Sequence, residues 1–570
     1  MRKLSIIVAF FLASCGSQKN LVGVGAQINP YNFNIQKKVV SSNGAVASAH
    51  PLASKVGVEI MKLGGNAFDA AIATQLALAV VYPNAGNIGG GGFMVARTAS
   101  GQTLALDYRE SAPSAAHRDM YLDANGNVME GKSINGHLAS GVPGTIAGLA
   151  ETFKYAKLSW KQLVQPAIDL AEKGFVLTPG EATSFNGIQN DLKKYNTSDN
   201  AFTKSTWRVG DTLVQTELAR TLMRIRDNGA AGFYQGKTAE LIAAEMSKGG
   251  GIITLDDLKN YTAKWRTPHS FDYRGYTIIG MPMPSSGGIL LHQMLKMIEP
   301  WPIKTFGFLS PESVNLMVEA ERRAFADRAE YMGDADFYNV PVDKITSSEY
   351  LQMRMSDFQV GVAGNSEQVK PGKIAKKESE ETTHLSVIDK LGNAVAVTTT
   401  LNNSYGSKTV VTGGGFFMND EMDDFSVKPG VPNLYGAVVG EANAIAPGKR
   451  MLSSMSPTIV LQNGKPFLVV GTPGGTTIPT SVFQTIVDII DFNMSTEDAV
   501  YKPKFHHQWL PDGVMIEAKF PAEVRSALEK MGYKFVVRNG IGRTEVIKVL
   551  PDGRFEAVAD IRGDDAAEGW

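Results

Sequence analysis

The 570-residue chain contains a single cysteine, Cys15. A disulfide framework within the chain is therefore impossible, and a cysteine nucleophile is excluded unless Cys15 itself serves. Histidine is scarce too, at eight residues, and no His-Glu-x-x-His pair occurs. His506 and His507 are adjacent, so on a strand they point to opposite faces. No credible metal site emerges, and neither a metal nor a cofactor is expected. No Gly-x-Ser-x-Gly elbow stands in a strand–turn–helix context. Excess charge of either sign is absent, with 56 Lys and Arg against 57 Asp and Glu. There is no basic run and no zinc-finger or RNP-type motif, so nucleic acid is not an expected partner. Long apolar runs are also missing. Leu4–Ala13 is too short to span a bilayer, and Asp69 and Gln75 interrupt the apolar stretch from Ala67 to Tyr82, which reads as a buried core helix.

What is present is the mix of a soluble globular protein, 43% hydrophobic and 20% charged. The length calls for a large composite domain or two domains. Glycine is abundant, at 58 residues, which suits a sheet-rich enzyme better than a helical bundle. Residues 1–15 read as a signal segment: Arg2 and Lys3 precede the apolar stretch, and Leu12-Ala13-Ser14-Cys15 is similar to a bacterial lipobox. A plain signal peptide with an incidental cysteine is the alternative. The lipobox reading predicts acylation of Cys15, a polar tether over 16–38, and an exported protein held on a membrane surface that faces the periplasm or the cell exterior.

Val39–Arg97 reads as strand, helix, helix and Gly-rich turn, with Leu52, Val56, Ile60 and Leu63 on one helical face. Residues 147–350 look mostly helical, with a strand pair around Tyr273–Met281. The stretch Asp357–Glu381 grows steadily more polar and reads as an exposed linker. It gives way abruptly to Thr382-Thr383-His384-Leu385 and a β-rich run, then a turn at Leu391-Gly392-Asn393 and a second strand to Leu401. A solvated linker ending directly against a buried strand is what a processing site looks like. An N-terminal threonine freed there joins a hydroxyl nucleophile to an α-amine that titrates near 8, so no separate histidine base is needed.

The motifs TTHLSVID (382–389), TLN (400–402), MDDFS (422–426), PGVPN (429–433), LSSMSPT (452–458), GTPGG (471–475) and FHHQWLP (505–511) resemble gamma-glutamyltransferase of the bacterial glutathione-utilising type. HPLAS (50–54), GGNAFDAA (64–71), GNIGGGGF (86–93) and DYRESAP (107–113) extend the resemblance over nearly the whole chain in order. It implies an α+β fold, the four-layer αββα sandwich of N-terminal-nucleophile hydrolases. That fold is formed jointly by a large fragment (39–381) and a small one (382–570), which remain together as a heterodimer after self-cleavage between Glu381 and Thr382. The implied activity moves the γ-glutamyl group of glutathione or related γ-glutamyl compounds to water or to an amino acid or peptide acceptor.

The resemblance also implies roles. Thr382 is the nucleophile and Thr400 orients it; by strand alternation Thr398 and Thr400 share a face. Gly474 and Gly475 supply oxyanion N–H groups. Arg109, Ser453 and Ser454 take the substrate α-carboxylate, and Asn402, Glu421 and Asp424 take the α-ammonium. By position alone either Asp423 or Asp424 could be the functional one, and the motif selects Asp424. Some bacterial members carry Gln where this chain has Glu421, which adds a negative charge beside Asp424. Tyr435 falls in a segment similar to a lid loop. GNIGGGGF lacks the Lys-Ser/Thr of a phosphate loop and is expected to pack backbone near the active site. Two rivals remain: a related amidase for glutaryl or cephalosporin side chains, and an uncleaved lipoprotein that binds γ-glutamyl peptides without turnover.

Overall fold

The computed structural model describes residues 28–369, 382–428 and 440–570. Cys15, Glu381 and Tyr435, and with them the acylation, the cleaved bond and the lid, lie outside the described residues. Two seven-stranded antiparallel sheets dominate. The first runs in the order Ala566–Gly569, Gly44–Ser48, Thr383–Asp389, Ala394–Thr400, Gly91–Arg97, Thr103–Tyr108, Lys264–Arg266. The second runs Lys38–Ser41, Phe555–Val558, Glu545–Val549, Lys465–Gly471, Thr458–Gln462, Tyr276–Gly280, His269–Tyr273. Both sheets contain strands from before and from after Thr382, so neither part of the chain holds a complete core of its own.

Strand alternation divides the apolar residues into three layers. Ala394 and Ala396 join Phe93, Ile279, Ile459, Val469 and Ile547 between the sheets. Leu385, Val387, Val395 and Val397 face the other way, onto helices Pro51–Lys62, Ala67–Val81 and Trp160–Lys173. The outer face of the second sheet is covered by Gly287–Ile298, Pro311–Tyr331 and Thr477–Ile490. The architecture is the expected αββα sandwich.

Helix Ala67–Val81 is buried along its whole length, as its all-round apolar sequence predicts, and an Asn66–Asp69 capping box starts it. Leu63 departs from expectation. The preceding helix stops at Lys62 and Gly64 turns away at φ 100°, which leaves Leu63 exposed. The expected exposed linker from Asp357 is exposed at Val360 and Val362 but anchored at a few points of its described part. Ser366 and Val369 are buried, and their carbonyls accept the indole N–H of Trp509, at 3.0 and 2.7 Å.

Candidate active site

Thr382 directly precedes strand Thr383–Asp389, and the ladder pairs Thr383 with Thr399 and His384 with Thr398. The next rung sets Thr382 opposite Thr400, at the end of strand Ala394–Thr400. Thr398 and Thr400 do share the face toward the second sheet, but their surroundings differ. Thr398 Oγ1 lies 2.9 Å from His384 Nδ1, and His384 Nε2 lies 3.1 Å from Ser386 Oγ. That histidine is core: burial pushes its pKa down to about 3, which keeps the ring neutral at ordinary pH. Thr400, by contrast, lines a narrow cavity together with Thr382. Its hydroxyl accepts the N–H of Asn402 at 2.8 Å.

The same cavity is lined by Arg109, Asn402, Glu421, Asp424, Ser453, Ser454 and Gly475. Arg109 leaves the end of strand Thr103–Tyr108 and is buried. Its guanidinium donates to Glu421 and Asp424, and to the carbonyl of Leu452 at 3.3 Å. One short 3-10 turn, Glu421–Asp424, carries both carboxylates. That turn also separates the two aspartates: Asp424 faces Arg109, whereas Asp423 accepts the hydroxyl of Ser133. Ser453 is held by backbone, its N–H donating to the Pro284 carbonyl at 2.9 Å and its own carbonyl accepting Ser286.

Gly474 and Gly475 have φ of 131° and 55°, a region that favours glycine. A Cβ at Gly474 would meet Thr477 Oγ1 at 2.4 Å. Their carbonyls accept the first N–H groups of the buried helix Thr477–Ile490, so the pair sits at its positive end, where developing negative charge is favoured. Gly475 lines the Thr382 cavity, while Gly474 lines the adjoining one.

Sequence reasoning missed four supporting residues. Asn87, inside GNIGGGGF, donates to the Thr400 carbonyl at 2.8 Å and to Thr399 Oγ1 at 3.1 Å, pinning the strand end that presents Thr400. Its glycine neighbours pack backbone to backbone as expected: a Cβ at Gly90 would stand 2.0 Å from the Thr400 carbonyl oxygen. Asn419 accepts the N–H of Glu421 at 3.1 Å and so fixes the acidic turn. Asp420 accepts both N–H and side-chain amide of Asn403. Glu110 lies fully buried, 3.6 Å from Arg109. Burial pushes its carboxyl up to about 7, with Arg109 pulling in the opposite sense. Burial also raises Glu421 well above the carboxylate range, again against Arg109, and Glu110 and Asp424 add to the rise. Asn87 and Glu110 fall within the quoted motifs, so that membership was the available signal.

The arrangement offers a hydroxyl beside a second hydroxyl, glycine amides at a helix terminus, and a guanidinium ringed by carboxylates. It is suited to holding a zwitterionic head while an acyl carbon is attacked. A family model described as Gamma-glutamyltranspeptidase matches residues 53–570. The glutathione hydrolase proenzyme of Escherichia coli (strain K12) is 46% identical over 550 residues, covering 95% of each chain. Among solved structures, a gamma-glutamyltranspeptidase from Helicobacter pylori is 44% identical, with a TM-score of 0.56 over 60% of this chain and 97% of that one. A cephalosporin acylase from Bacillus halodurans is 28% identical, with a TM-score of 0.83 over 95% of this chain and 98% of that one. The acylase shares the sandwich, but the higher identities lie with the glutathione hydrolase and the transpeptidase, and the family match runs to the last residue: the chain belongs to the gamma-glutamyltranspeptidase family.

Proposed function

We propose that this chain is a precursor that cuts itself between Glu381 and Thr382 and then transfers γ-glutamyl groups from glutathione or related compounds. Water or an amino acid or peptide is the acceptor. The observation that carries this reading is the single cavity where Thr382 and Thr400 meet Arg109, Asn402, Glu421 and Asp424. In maturation the Thr382 hydroxyl attacks the Glu381 carbonyl and the peptide bond becomes an ester. Water cleaves that ester, leaving a carboxylate on Glu381 and a free α-amine on Thr382. In turnover the α-amine takes the hydroxyl proton as Oγ attacks the γ-carbonyl. The amides of Gly474 and Gly475 receive the oxyanion, and the leaving amine departs with a proton. Water or an acceptor amine then cleaves the ester and restores Thr382.

The substrate head determines what must surround it. An α-carboxylate fits the Arg109 guanidinium, with Ser453 and Ser454 as further donors, and an α-ammonium fits Glu421, Asp424 and Asn402. A glutaryl group lacks that ammonium and would leave two carboxylates beside it unmatched, which disfavours the amidase rival. A binding lipoprotein needs neither Thr382 nor the glycine pair. Tyr435 is proposed to cover the bound glutamyl group and exclude water. Acylation at Cys15 is proposed to hold the enzyme on a membrane, facing the periplasm or the cell exterior.

The test is an intact-mass spectrum of the purified chain from residue 16, beside Thr382→Ala. Two fragments, the smaller starting at Thr382, with an uncut mutant and release of amine from a γ-glutamyl anilide only by the wild type, support the reading. A wild type that folds yet stays whole removes the nucleophile assignment and favours the binding protein.

A further inference from the structure

The serine arm of the cradle lies after Thr382 in the chain, but residues before Thr382 hold it. Pro284, Ser285 and Ser286 lead into helix Gly287–Ile298 and run beside Ser453, with Ser285 and Ser453 paired as a parallel bridge. The Ser453 N–H donates to the Pro284 carbonyl at 2.9 Å. Its carbonyl accepts twice from Ser286, from the backbone N–H and from the hydroxyl, both at 2.8 Å. Ser285 Oγ donates to the Met455 carbonyl at 2.5 Å, and the Met455 N–H donates to Ser453 Oγ at 3.1 Å. Both peptide groups of Ser453 are thereby fixed. Its hydroxyl oxygen already accepts a bond, which leaves the proton to be offered to the cavity that Ser453 lines.

Behind Ser286 stands Arg328, on the long helix Pro311–Tyr331. Its Nε donates to Ser286 Oγ at 2.9 Å. Arg328 is only 1% exposed. A guanidinium is costly to bury, and an apolar side chain would cover the helix as well. What the guanidinium adds is direction. A serine hydroxyl rotates, and its one proton serves one acceptor at a time. The N–H of Arg328 occupies a lone pair on the Ser286 oxygen and turns the Ser286 proton away from itself, toward the Ser453 carbonyl. A charged donor also strengthens the bond that the hydroxyl makes next. This chain of bonds runs from Arg328 through Ser286 to the Ser453 backbone and stops short of Thr382 and Thr400.

We infer that Arg328 and Ser286 are positioning residues for the α-carboxylate of the donor. Arg328 orients the Ser286 hydroxyl, Ser286 fixes the Ser453 backbone, and Ser453 presents its hydroxyl in the cavity that Arg109 also lines. The inference rests on the γ-glutamyl transfer reading above and adds to it a basis for selecting donors whose α-carboxyl is free and charged. It also links the two parts of the chain. Ser286 and Arg328 precede Thr382 and Ser453 follows it, so in the proposed cleaved form one fragment sets the carboxylate arm of the other.

The test uses two donors, a γ-glutamyl anilide with a free α-carboxylate and the same anilide with an α-carboxamide. They are compared in the self-cleaved wild type, Ser286→Ala, Arg328→Met, Arg328→Lys and the double variant Ser286→Ala with Arg328→Met, each checked for cleavage by intact mass. Loss of one positioning hydrogen bond predicts that Ser286→Ala raises KM about tenfold for the carboxylate donor, with kcat held and the carboxamide donor little affected. Arg328→Met moves KM the same way, and Arg328→Lys, which keeps a donor, moves it less. The double variant is no worse than Ser286→Ala alone, because Arg328 acts through Ser286. Should Arg328→Met fail to fold, Ser286→Ala decides by itself. An unchanged KM in Ser286→Ala, an equal loss with both donors, a fall in kcat in its place or a failure to self-cleave overturns the assignment, and fully additive effects in the double variant overturn the relay. A wild type that does not turn over the carboxylate donor overturns the transfer reading and this inference with it, whereas wild-type turnover beside an unchanged Ser286→Ala overturns this inference alone.

Discussion

Glutamine in place of Glu110 keeps the side chain's shape and removes its charge, which isolates the electrostatics around Arg109. Glu110 is fully buried, and among the described residues no donor other than its own backbone N–H and the Glu421 carboxyl stands against its two oxygens. Its charged neighbours are Arg109, at 3.6 Å, and the carboxyl of Glu421, with Arg450 further off. Two facing carboxyls can bond only by sharing a proton. Burial raises Glu110 from 4.5 to about 7, so between those pH values the folded chain holds a proton that the unfolded chain has lost. The associated stability is complete below pH 4.5 and disappears as pH rises through about 7. A shift of that size corresponds to about 3 kcal/mol. An unfolding entropy of roughly 2.1 cal/mol/K per residue over 570 residues gives about 1.2 kcal/mol/K, so the change in Tm is about 2 to 3 °C.

The comparison is best made in a Thr382→Ala background, which keeps the chain in one piece. The Tm of Glu110→Gln minus that of its parent should climb by about 2 to 3 °C between pH 5 and pH 8. A glutamine amide can donate to an ionised Glu421, so the pair no longer needs the shared proton. Other buried acids that burial raises, Asp420 to about 6 and Asp423 and Asp488 to about 7, titrate in both proteins and cancel in the difference. A difference that stays flat with pH refutes the shared proton. Donor binding supplies a second readout. Loss of the proton in the wild type adds an anion that competes with the substrate carboxylate for Arg109, so donor KM rises above about pH 7 and stays level in the variant.

Thr400→Val deletes the hydroxyl that accepts the Asn402 N–H, and stopped assays should show kcat falling about tenfold or more and self-cleavage slowing. Gly474→Ala forces a Cβ against Thr477 Oγ1 and displaces the proposed oxyanion amides; kcat is expected to drop about 10²-fold with donor KM little changed, and equal effects on both would count against an oxyanion role. Arg109→Lys puts one point charge where a fork served Glu421 and Asp424, so donor KM should rise about tenfold or more by initial-rate kinetics.

The parts of the site that follow a local period were legible before the fold. Strand alternation put Thr398 and Thr400 on one face, and the apolar alternation from Leu385 onward gave the buried strand that Thr382 directly precedes. What alternation could not decide was which threonine shares the cavity with Thr382. That depends on His384, which occupies Thr398 from the neighbouring strand. Asp423 and Asp424 were inseparable by spacing for a similar reason, because a 3-10 turn directs one to Ser133 and the other to Arg109. The segment ending at Val369 read as solvated, and much of it is exposed, but its polar sequence hides two carbonyls bonded to Trp509, about 140 residues away. Glu110 shows the limit most clearly. Its neighbour Arg109 was found by motif, but the proton that Glu110 holds depends on a carboxyl more than 300 residues later, brought close by sheet closure. Sequence order reveals which groups exist and which face they take. The pKa of an acid is decided by what else is buried beside it, and in a sandwich whose two sheets each contain strands from both sides of Thr382 that company is assembled only by the fold.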